Sequence, residues 1–286
     1  MSTPDGLPRL RDVIRSLGLS AKRSLGQNFL LDFNLTRRIA RAAGPLAGVT
    51  VVEIGPGPGG LTRALLLEGA SRVIAIERDT RALPALDAIA ARHPGRLAIV
   101  AADAREVDYA ALAPSAPVRI VANLPYGVAT PLLVGWLKTE PWPPWFDRLV
   151  LMFQREVADR IVAAPGTKDY GRLAVLAQWR AAPRILFTLP AEAFTPRPKV
   201  ESALVELVPK ELPAPPCRVA SLEKVTAAAF GQRRKMLRAA LRQIAPNSET
   251  LLDRLGIDPK ARAEELAVAE FCRLANALEA NAGRER

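Results

Sequence analysis

The chain has 286 residues, enough to bury a substantial core in one large domain plus a smaller one, and its 49% apolar content suits a soluble globular protein. With 40 Lys and Arg against 29 Asp and Glu, the net charge of +11 points to a polyanion such as nucleic acid rather than a small neutral partner. One histidine, His93 in the turn-like R-H-P-G, and two cysteines, Cys217 and Cys272, with no CxxC, argue against His-dependent triads, metal sites and a disulfide framework.

The start, M-S-T-P-D-G-L-P, lacks the basic-then-apolar order of a secretion signal, and no long apolar run follows, so the expectation is a cytoplasmic protein with no membrane contact. N-F-L-L-D, ending at Asp32, reads as the start of a helix. From Val49 to Phe153 short β-rich runs alternate with helical ones. V-T-V-V-E-I, R-V-I-A-I-E, L-A-I-V-A-A, V-R-I-V-A-N and R-L-V-L-M-F are nearly all apolar, as in strands covered on both faces. G-L-T-R-A-L-L-L-E and D-T-R-A-L-P-A-L-D-A-I-A-A-R read as crossover helices between them. This alternation predicts an α/β fold with a doubly wound, mostly parallel sheet. A helical Q-R-E-V-A-D-R-I-V follows, then R-I-L-F-T-L and V-E-S-A-L-V-E-L-V, close enough in sequence to pair antiparallel at one edge. P-K-E-L-P-A-P-P-C, residues 209–217, holds four prolines and is expected to be a linker. Residues 1–208 are then the first domain, and 218–286 a smaller all-helical one with breaks at Pro246 and around G-I-D-P.

V-V-E-I-G-P-G-P-G-G-L-T places a glycine-rich turn between a strand and a helix. Gly55, Gly57 and Gly60 fit G-x-G-x-x-G, and Glu77 falls 22 residues after Gly55 at the tip of the next strand, where it can take both hydroxyls of a ribose. Nicotinamide dinucleotides and S-adenosylmethionine both carry the adenosine that such a crevice holds. Pro56 and Pro58 remove N–H donors from the turn, and Glu53 brings negative charge where a dinucleotide would bring phosphates; a sulfonium would find that carboxylate agreeable. Asp103, after the third strand, is placed to accept a hydrogen bond from an adenine amino group.

V-E-I-G-P-G, I-E-R-D, A-D-A and N-L-P-Y together resemble the class I S-adenosylmethionine-dependent methyltransferases, which have a Rossmann-like fold. More narrowly, the chain is similar to the ribosomal RNA adenine dimethyltransferases of the KsgA (RsmA) family. K-R-S-L-G-Q-N-F-L-L-D, Q-R-E-V, Y-G-R-L, A-F-T-P-R-P-K-V-E-S-A and A-F-G-Q-R-R-K-M-L-R extend the likeness from about Ala21 to Ala277. The resemblance implies S-adenosylmethionine as methyl donor and no metal. It implies transfer to N6 of two adjacent adenosines in the terminal stem-loop of small-subunit rRNA, within a pre-30S particle. A monomer is the simplest expectation.

An exocyclic adenine amine is a weak nucleophile because its lone pair is delocalised into the ring. Acceptors for its two hydrogens restore density at nitrogen, and the Asn123 side-chain oxygen and the Leu124 carbonyl can be those acceptors, with Pro125 fixing the loop and Tyr126 stacking on the base. By resemblance, a second aromatic, Phe194, completes the sandwich around a base that has left its stack. The resemblance also lays G-Q-N-F-L across the donor, with Asn28 and Leu30 touching it and Gly55, Glu77, Asp103 and Asn123 completing the pocket.

In A-F-G-Q-R-R-K-M-L-R-A-A-L-R-Q-I, helical spacing puts Phe230, Leu237, Leu241 and Ile244 on one face. Arg234, Arg238 and Arg242 follow its flank, with Arg233 and Lys235 beside them. That stripe, with Lys22 and Arg23 near the start of the chain, is the expected RNA contact, and its binding should weaken with salt. Two rivals remain: a large-subunit adenine methyltransferase of the macrolide-resistance type, and an assembly or transcription factor that kept the fold without the chemistry. A nicotinamide oxidoreductase is a third, disfavoured by Pro56, Pro58 and the want of a proton donor.

Overall fold

The computed structural model describes residues 3–21, 26–112 and 117–282, so Lys22 and Arg23 lie outside the described residues. The chain gathers into two compact units. The first takes the described residues of Met1–Gly135, Pro144–Ala158 and Arg184–Pro209; the second takes those of Trp136–Pro143, Asp159–Pro183 and Lys210–Arg286.

In chain order the first unit contributes α1 (Leu10–Ser16), β1 (Phe29–Leu30), α2 (Phe33–Ala42), β2 (Thr50–Ile54), α3 (Gly60–Leu67), β3 (Arg72–Glu77), α4 (Leu83–Arg92), β4 (Leu97–Ala101) and α5 (Tyr109–Leu112). It continues with β5 (Val118–Ala122), α6 (Tyr126–Leu137), β6 (Arg148–Gln154), α7 (Arg155–Val162), and, beyond α8 (Arg172–Arg180), β7 (Ala181–Leu189), β8 (Phe194–Thr195) and β9 (Ser202–Pro209). Elements α6, α7 and β7 run across the boundary between the units. Asp32 starts α2 as expected, its carboxylate accepting from the main-chain N–H groups of Asn34 and Leu35. His93 sits at the end of α4, in the turn before β4.

Seven strands form one sheet in the order β4-β3-β2-β5-β6-β9-β7. The first five are parallel, and β9 runs antiparallel to β6. The two late β-rich runs are neighbours at the sheet edge, as their nearness in sequence suggests. From β2 the chain steps outward to β3 and β4, then returns to β5 on the other side of β2. Because parallel crossovers are right-handed, that reversal puts α3 and α4 on one face of the sheet and α6 on the other. Val51, Val73, Val121 and Val150 are buried against Ile39, Leu65 and Leu86, which is why these strands carry so few polar residues. The reversal also opens a crevice between the carboxyl ends of β2 and β5, the place where sheets of this kind bind ligands.

The second unit holds α8, α9 (Val219–Gly231), α10 (Leu237–Ala240), α11 (Ser248–Arg254) and α12 (Val268–Ala282). Three expectations change here. Residues 159–183, assigned from sequence to the first domain, group with the C-terminal helices. Phe230 shows why: its ring centroid lies 6.0 Å from that of Tyr170 and 5.4 Å from that of Phe271. The proline-rich stretch is tied down rather than standing as a free linker, because prolines lack N–H donors but keep their carbonyls. Trp179 Nε1 donates to the Pro215 oxygen at 3.1 Å, and Asn276 Nδ2 to the Pro216 oxygen at 2.9 Å. Finally, the basic stretch is not one helix. It breaks over 232–236 and restarts as α10, with the N–H groups of Leu237 and Arg238 satisfied by the carbonyls of Ala261 and Pro259. Those acceptors lie some twenty residues downstream, outside the reach of helical periodicity.

Candidate active site

The glycine turn between β2 and α3 is built for close approach. Gly59 has φ +87°, and a Cβ there would lie 2.2 Å from Ile89 Cδ1 in α4. Gly57 has φ +53°, and its N–H donates to Glu77 Oε2 at 2.8 Å. Glu77 Oε1 accepts from the Asp79 N–H at 2.7 Å. Each oxygen of this buried carboxylate therefore keeps a lone pair for a further donor, which suits the two hydroxyls of a ribose. Burial raises the Glu77 pKa, with the Asp79 charge adding to it, and the main-chain N–H groups of Asp79, Gly57 and Arg78 draw it back.

Glu53, in β2, is 2% exposed and accepts from the Thr62 hydroxyl at 2.6 Å. Burial pushes its pKa up to about 8, opposed by Thr62 and reinforced by the Glu77 charge. Burial thus works against the negative charge expected of Glu53, and a cation facing it would favour the charged form.

At the end of β5 stands Asn-Leu-Pro-Tyr. Asn123 Nδ2 donates to the main-chain oxygen of Asn28 at 3.1 Å. A carbonyl only accepts, so this contact fixes the amide's orientation and leaves Oδ1 as the group turned to the rest of the cavity. Among the described residues, neither Asn123 Oδ1 nor the Leu124 carbonyl takes a hydrogen bond. The Pro125 ring sits between two glycines: a Cβ on Gly55 would lie 3.7 Å from its Cδ, and one on Gly26 3.5 Å from its Cβ. Tyr126 opens α6, its hydroxyl 2.6 Å from Ser202 Oγ, a fully buried side chain at the start of β9.

The segment 26–30 closes the cavity from the side. Gln27 Nε2 donates to Asp79 Oδ2 at 3.1 Å, and β1 pairs antiparallel with β8. Arg81 holds the Asp79 pKa down to about 2, so that anchor is charged throughout the neutral range. The cavity so formed has a volume of about 420 Å³, and Asn28, Leu30, Gly55, Glu77, Asp103, Asn123, Leu124, Pro125 and Tyr126 all line it.

Two expected site residues stand differently. Phe194 is 3% exposed, opposite Leu30 in the β1–β8 pair and within the apolar core, outside the cavity lining. A Phe between β-rich runs has as much to gain from packing as from stacking, and here packing prevails. Asp103 lines the cavity, but Oδ1 accepts from the Arg105 main-chain N–H and Nε, both at 3.0 Å. Oδ2 accepts from Arg105 at 2.7 Å and from Arg78 at 3.2 Å. The carboxylate's four acceptor positions are filled, its pKa is pulled well down by Arg105, and it can receive an adenine amine only as Arg105 withdraws. Sequence reasoning missed Arg105, Arg78, Gln27, Asp79 and Ser202, although all but Arg105 stood inside quoted motifs: Arg78 and Asp79 in I-E-R-D, Gln27 in G-Q-N-F-L and Ser202 in A-F-T-P-R-P-K-V-E-S-A. Among the described residues no group of three or more His, Cys, Asp or Glu is gathered to hold a metal.

In the second unit the basic residues divide. Arg233 pairs with Glu264 at 2.7 Å and donates to the Lys168 carbonyl, and Arg238 pairs with Glu249 at 2.8 Å. Arg234 and Lys235, on the turn, and Arg242 are exposed.

Residues 18–280 match the family described as ribosomal RNA adenine dimethylase. The protein named ribosomal RNA small subunit methyltransferase A in Xanthobacter autotrophicus is 62% identical over 276 residues, covering 96% of each chain. Among solved structures, a dimethyladenosine transferase from Plasmodium falciparum superposes with a TM-score of 0.74 at 24% identity, over 86% of this chain and 96% of that one; this shows a shared fold. The 23S rRNA methyltransferase ErmE gives 0.66 at 27% identity, over 88% and 100%. With the family matched over nearly its whole length, this chain belongs to the ribosomal RNA adenine dimethylases.

Proposed function

We propose that the protein transfers methyl groups from S-adenosylmethionine to N6 of two adjacent adenosines in the 3'-terminal stem-loop of small-subunit (16S) rRNA. The product is N6,N6-dimethyladenosine, formed on a pre-30S particle as the subunit is assembled. The observation that carries this reading is the pair of unengaged acceptors, Asn123 Oδ1 and the Leu124 carbonyl, adjacent in the chain at the mouth of the β2–β5 crevice.

The residues present suit the donor. The glycine turn gives backbone approach, Glu77 keeps two lone pairs for the ribose, and Glu53 gives up its proton more readily beside a cation. The bound donor supplies a methyl group already activated on sulfonium. The protein's part is positional: Asn123 and Leu124 accept the two amine hydrogens and raise electron density at N6, while the Tyr126 ring, steadied by Ser202, offers a face to the extruded base. The new N–C bond leaves the amine with an extra proton, which passes to water. Asn28, Leu30, Gly55 and Glu77 hold the donor, with Asp103 joining once Arg105 has moved. Arg234, Lys235 and Arg242 contact RNA phosphates. The protein acts as a monomer in the cytoplasm; among the described residues no helix is long and apolar enough to cross a membrane.

The large-subunit alternative has the weaker support, since the likeness to the 23S enzyme is 27% identity against 62% for the small-subunit relative. Incubating the protein with labelled S-adenosylmethionine and with unmethylated small and large subunits separates them. Label on adenosines near the 3' end of the small-subunit RNA supports the proposal; label on large subunits, or on neither, rejects it.

A further inference from the structure

The family match begins at residue 18, yet Leu10, in α1, lines the cavity beside Gly60 and Leu30. We propose that residues 3–10 are a working wall of the donor pocket, clamped in place by a buried ion pair between Asp5 and Arg63. The inference rests on the donor assignment above and adds to it a binding element that precedes the residues matched to the family.

Three observations converge on it. First, the clamp is built rather than incidental. Asp5 Oδ2 meets Arg63 Nε at 2.5 Å and Oδ1 meets the terminal nitrogen at 2.6 Å, with side-chain exposures of 0% and 3%. Arg63 also donates to the Pro8 carbonyl at 2.8 Å and to the Thr3 hydroxyl, so one guanidinium gathers the whole segment. Second, Arg63 lies in the first turn of α3, the helix that leaves the glycine cradle, so the ion pair ties the segment directly to that helix. Third, Leu10 is a partition. A second cavity, lined by Arg9, Phe33 and Arg63, lies on its far side, and Leu10, Leu30 and Gly60 border both. A Cβ on Gly60 would come within 2.8 Å of Leu10 Cδ2. The absence of a side chain at Gly60 is therefore what admits Leu10 to the wall.

Charge sets the direction of the effect. Removing Asp5 leaves a buried guanidinium with no carboxylate partner, and such a group recovers its solvation by moving outward or drawing in water. Either response shifts the first turn of α3 and withdraws Leu10. Removing the Leu10 side chain joins the two cavities and replaces an apolar surface with water while leaving the clamp intact.

The test uses the full chain, with S-adenosylhomocysteine as probe in isothermal titration calorimetry. Leu10→Ala should raise the dissociation constant about tenfold, whereas Leu10→Met, of similar volume, should stay within about threefold. Asp5→Asn should weaken binding by about the same factor as Leu10→Ala. In the methylation assay the donor KM should rise in these variants while the RNA KM holds, a split that a merely structural brace would not produce. Leu10→Ala binding within about twofold of the wild type overturns the proposal, and that comparison stands even if Asp5→Asn does not fold. Failure of the wild type to bind S-adenosylhomocysteine instead sinks the donor assignment itself, and the wall with it.

Discussion

Replacing Asn123 by Ala removes one of the two acceptors for the target amine and the tie from Nδ2 to the Asn28 carbonyl. The tie is a neutral hydrogen bond in a half-buried place, so its loss should cost about 1 kcal/mol of stability and leave the fold intact. The acceptor matters more, because the positive character of the amine hydrogens grows as N6 gives up its lone pair. By analogy with the loss of one preorganised oxyanion-hole partner, the transition state should lose about 2–4 kcal/mol, which is about 30- to 1000-fold in kcat. Affinity for S-adenosylhomocysteine should change by less than about threefold, since Asn123 serves the incoming base first. Asn123→Asp sharpens the test: it keeps an oxygen for the amine but sets a second one opposite the Asn28 carbonyl, where a donor stood 3.1 Å away. Two acceptors face to face repel, so this variant should also fall well below the wild type despite its extra charge. Single-turnover transfer of labelled methyl to unmethylated small subunits gives the rate, and calorimetry gives the affinity. A rate for Asn123→Ala within about threefold of the wild type would refute the reasoning.

Glu53 sets a pH dependence of stability. Its folded-state pKa is raised from 4.5 to about 8, so between those values the unfolded chain binds fewer protons than the folded one and stability falls as pH rises. Glu53→Gln keeps an acceptor for Thr62 and should flatten that decline, gaining on the order of 3 kcal/mol at pH 9 relative to pH 5 in urea unfolding; parallel curves for the two proteins would remove Glu53 from the account. Arg105→Ala opens one acceptor position on each Asp103 oxygen, with the main-chain N–H of residue 105 and Arg78 still in place, and S-adenosylhomocysteine should bind several-fold tighter; weaker binding would mean that Arg105 itself supports the adenine. Arg234→Ala with Lys235→Ala should raise the RNA KM and reduce the slope of binding against salt by about two, one for each phosphate contact. An unchanged slope would move the RNA surface elsewhere. Arg233→Ala should instead lower the melting temperature, because it breaks the pair with Glu264.

Much of the sheet was legible because its strands are apolar on both faces and separated by amphipathic helices, a pattern with few other physical solutions. Gly55, Glu77 and N-L-P-Y were legible because each places a special residue type at a strand tip. What escaped was whatever depends on partners distant in sequence. Nothing around Arg233 foretells Glu264, and no periodicity foretells the carbonyls of Pro259 and Ala261 that let the basic helix stop and restart. Asp103 was found at the right strand end, but its capture by Arg105, two residues on, depends on side-chain geometry that spacing does not carry. Phe194 shows the same gap in the other direction: an aromatic in a motif carries no mark that tells a base-stacking face from a core face. Arg63, inside an otherwise apolar helix run, drew no notice in the sequence, although a guanidinium on a buried face demands a carboxylate from somewhere, and Asp5 supplies it.

The central claim is that the Asn123 side-chain oxygen and the Leu124 carbonyl receive the hydrogens of an adenine amine. A crystal structure with S-adenosylhomocysteine and an adenosine-bearing RNA tests it most directly. The account predicts N6 within about 3 Å of both oxygens, with Nδ2 still on the Asn28 carbonyl. An amide turned so that its nitrogen faces the base, or an N6 held by other groups, would contradict it.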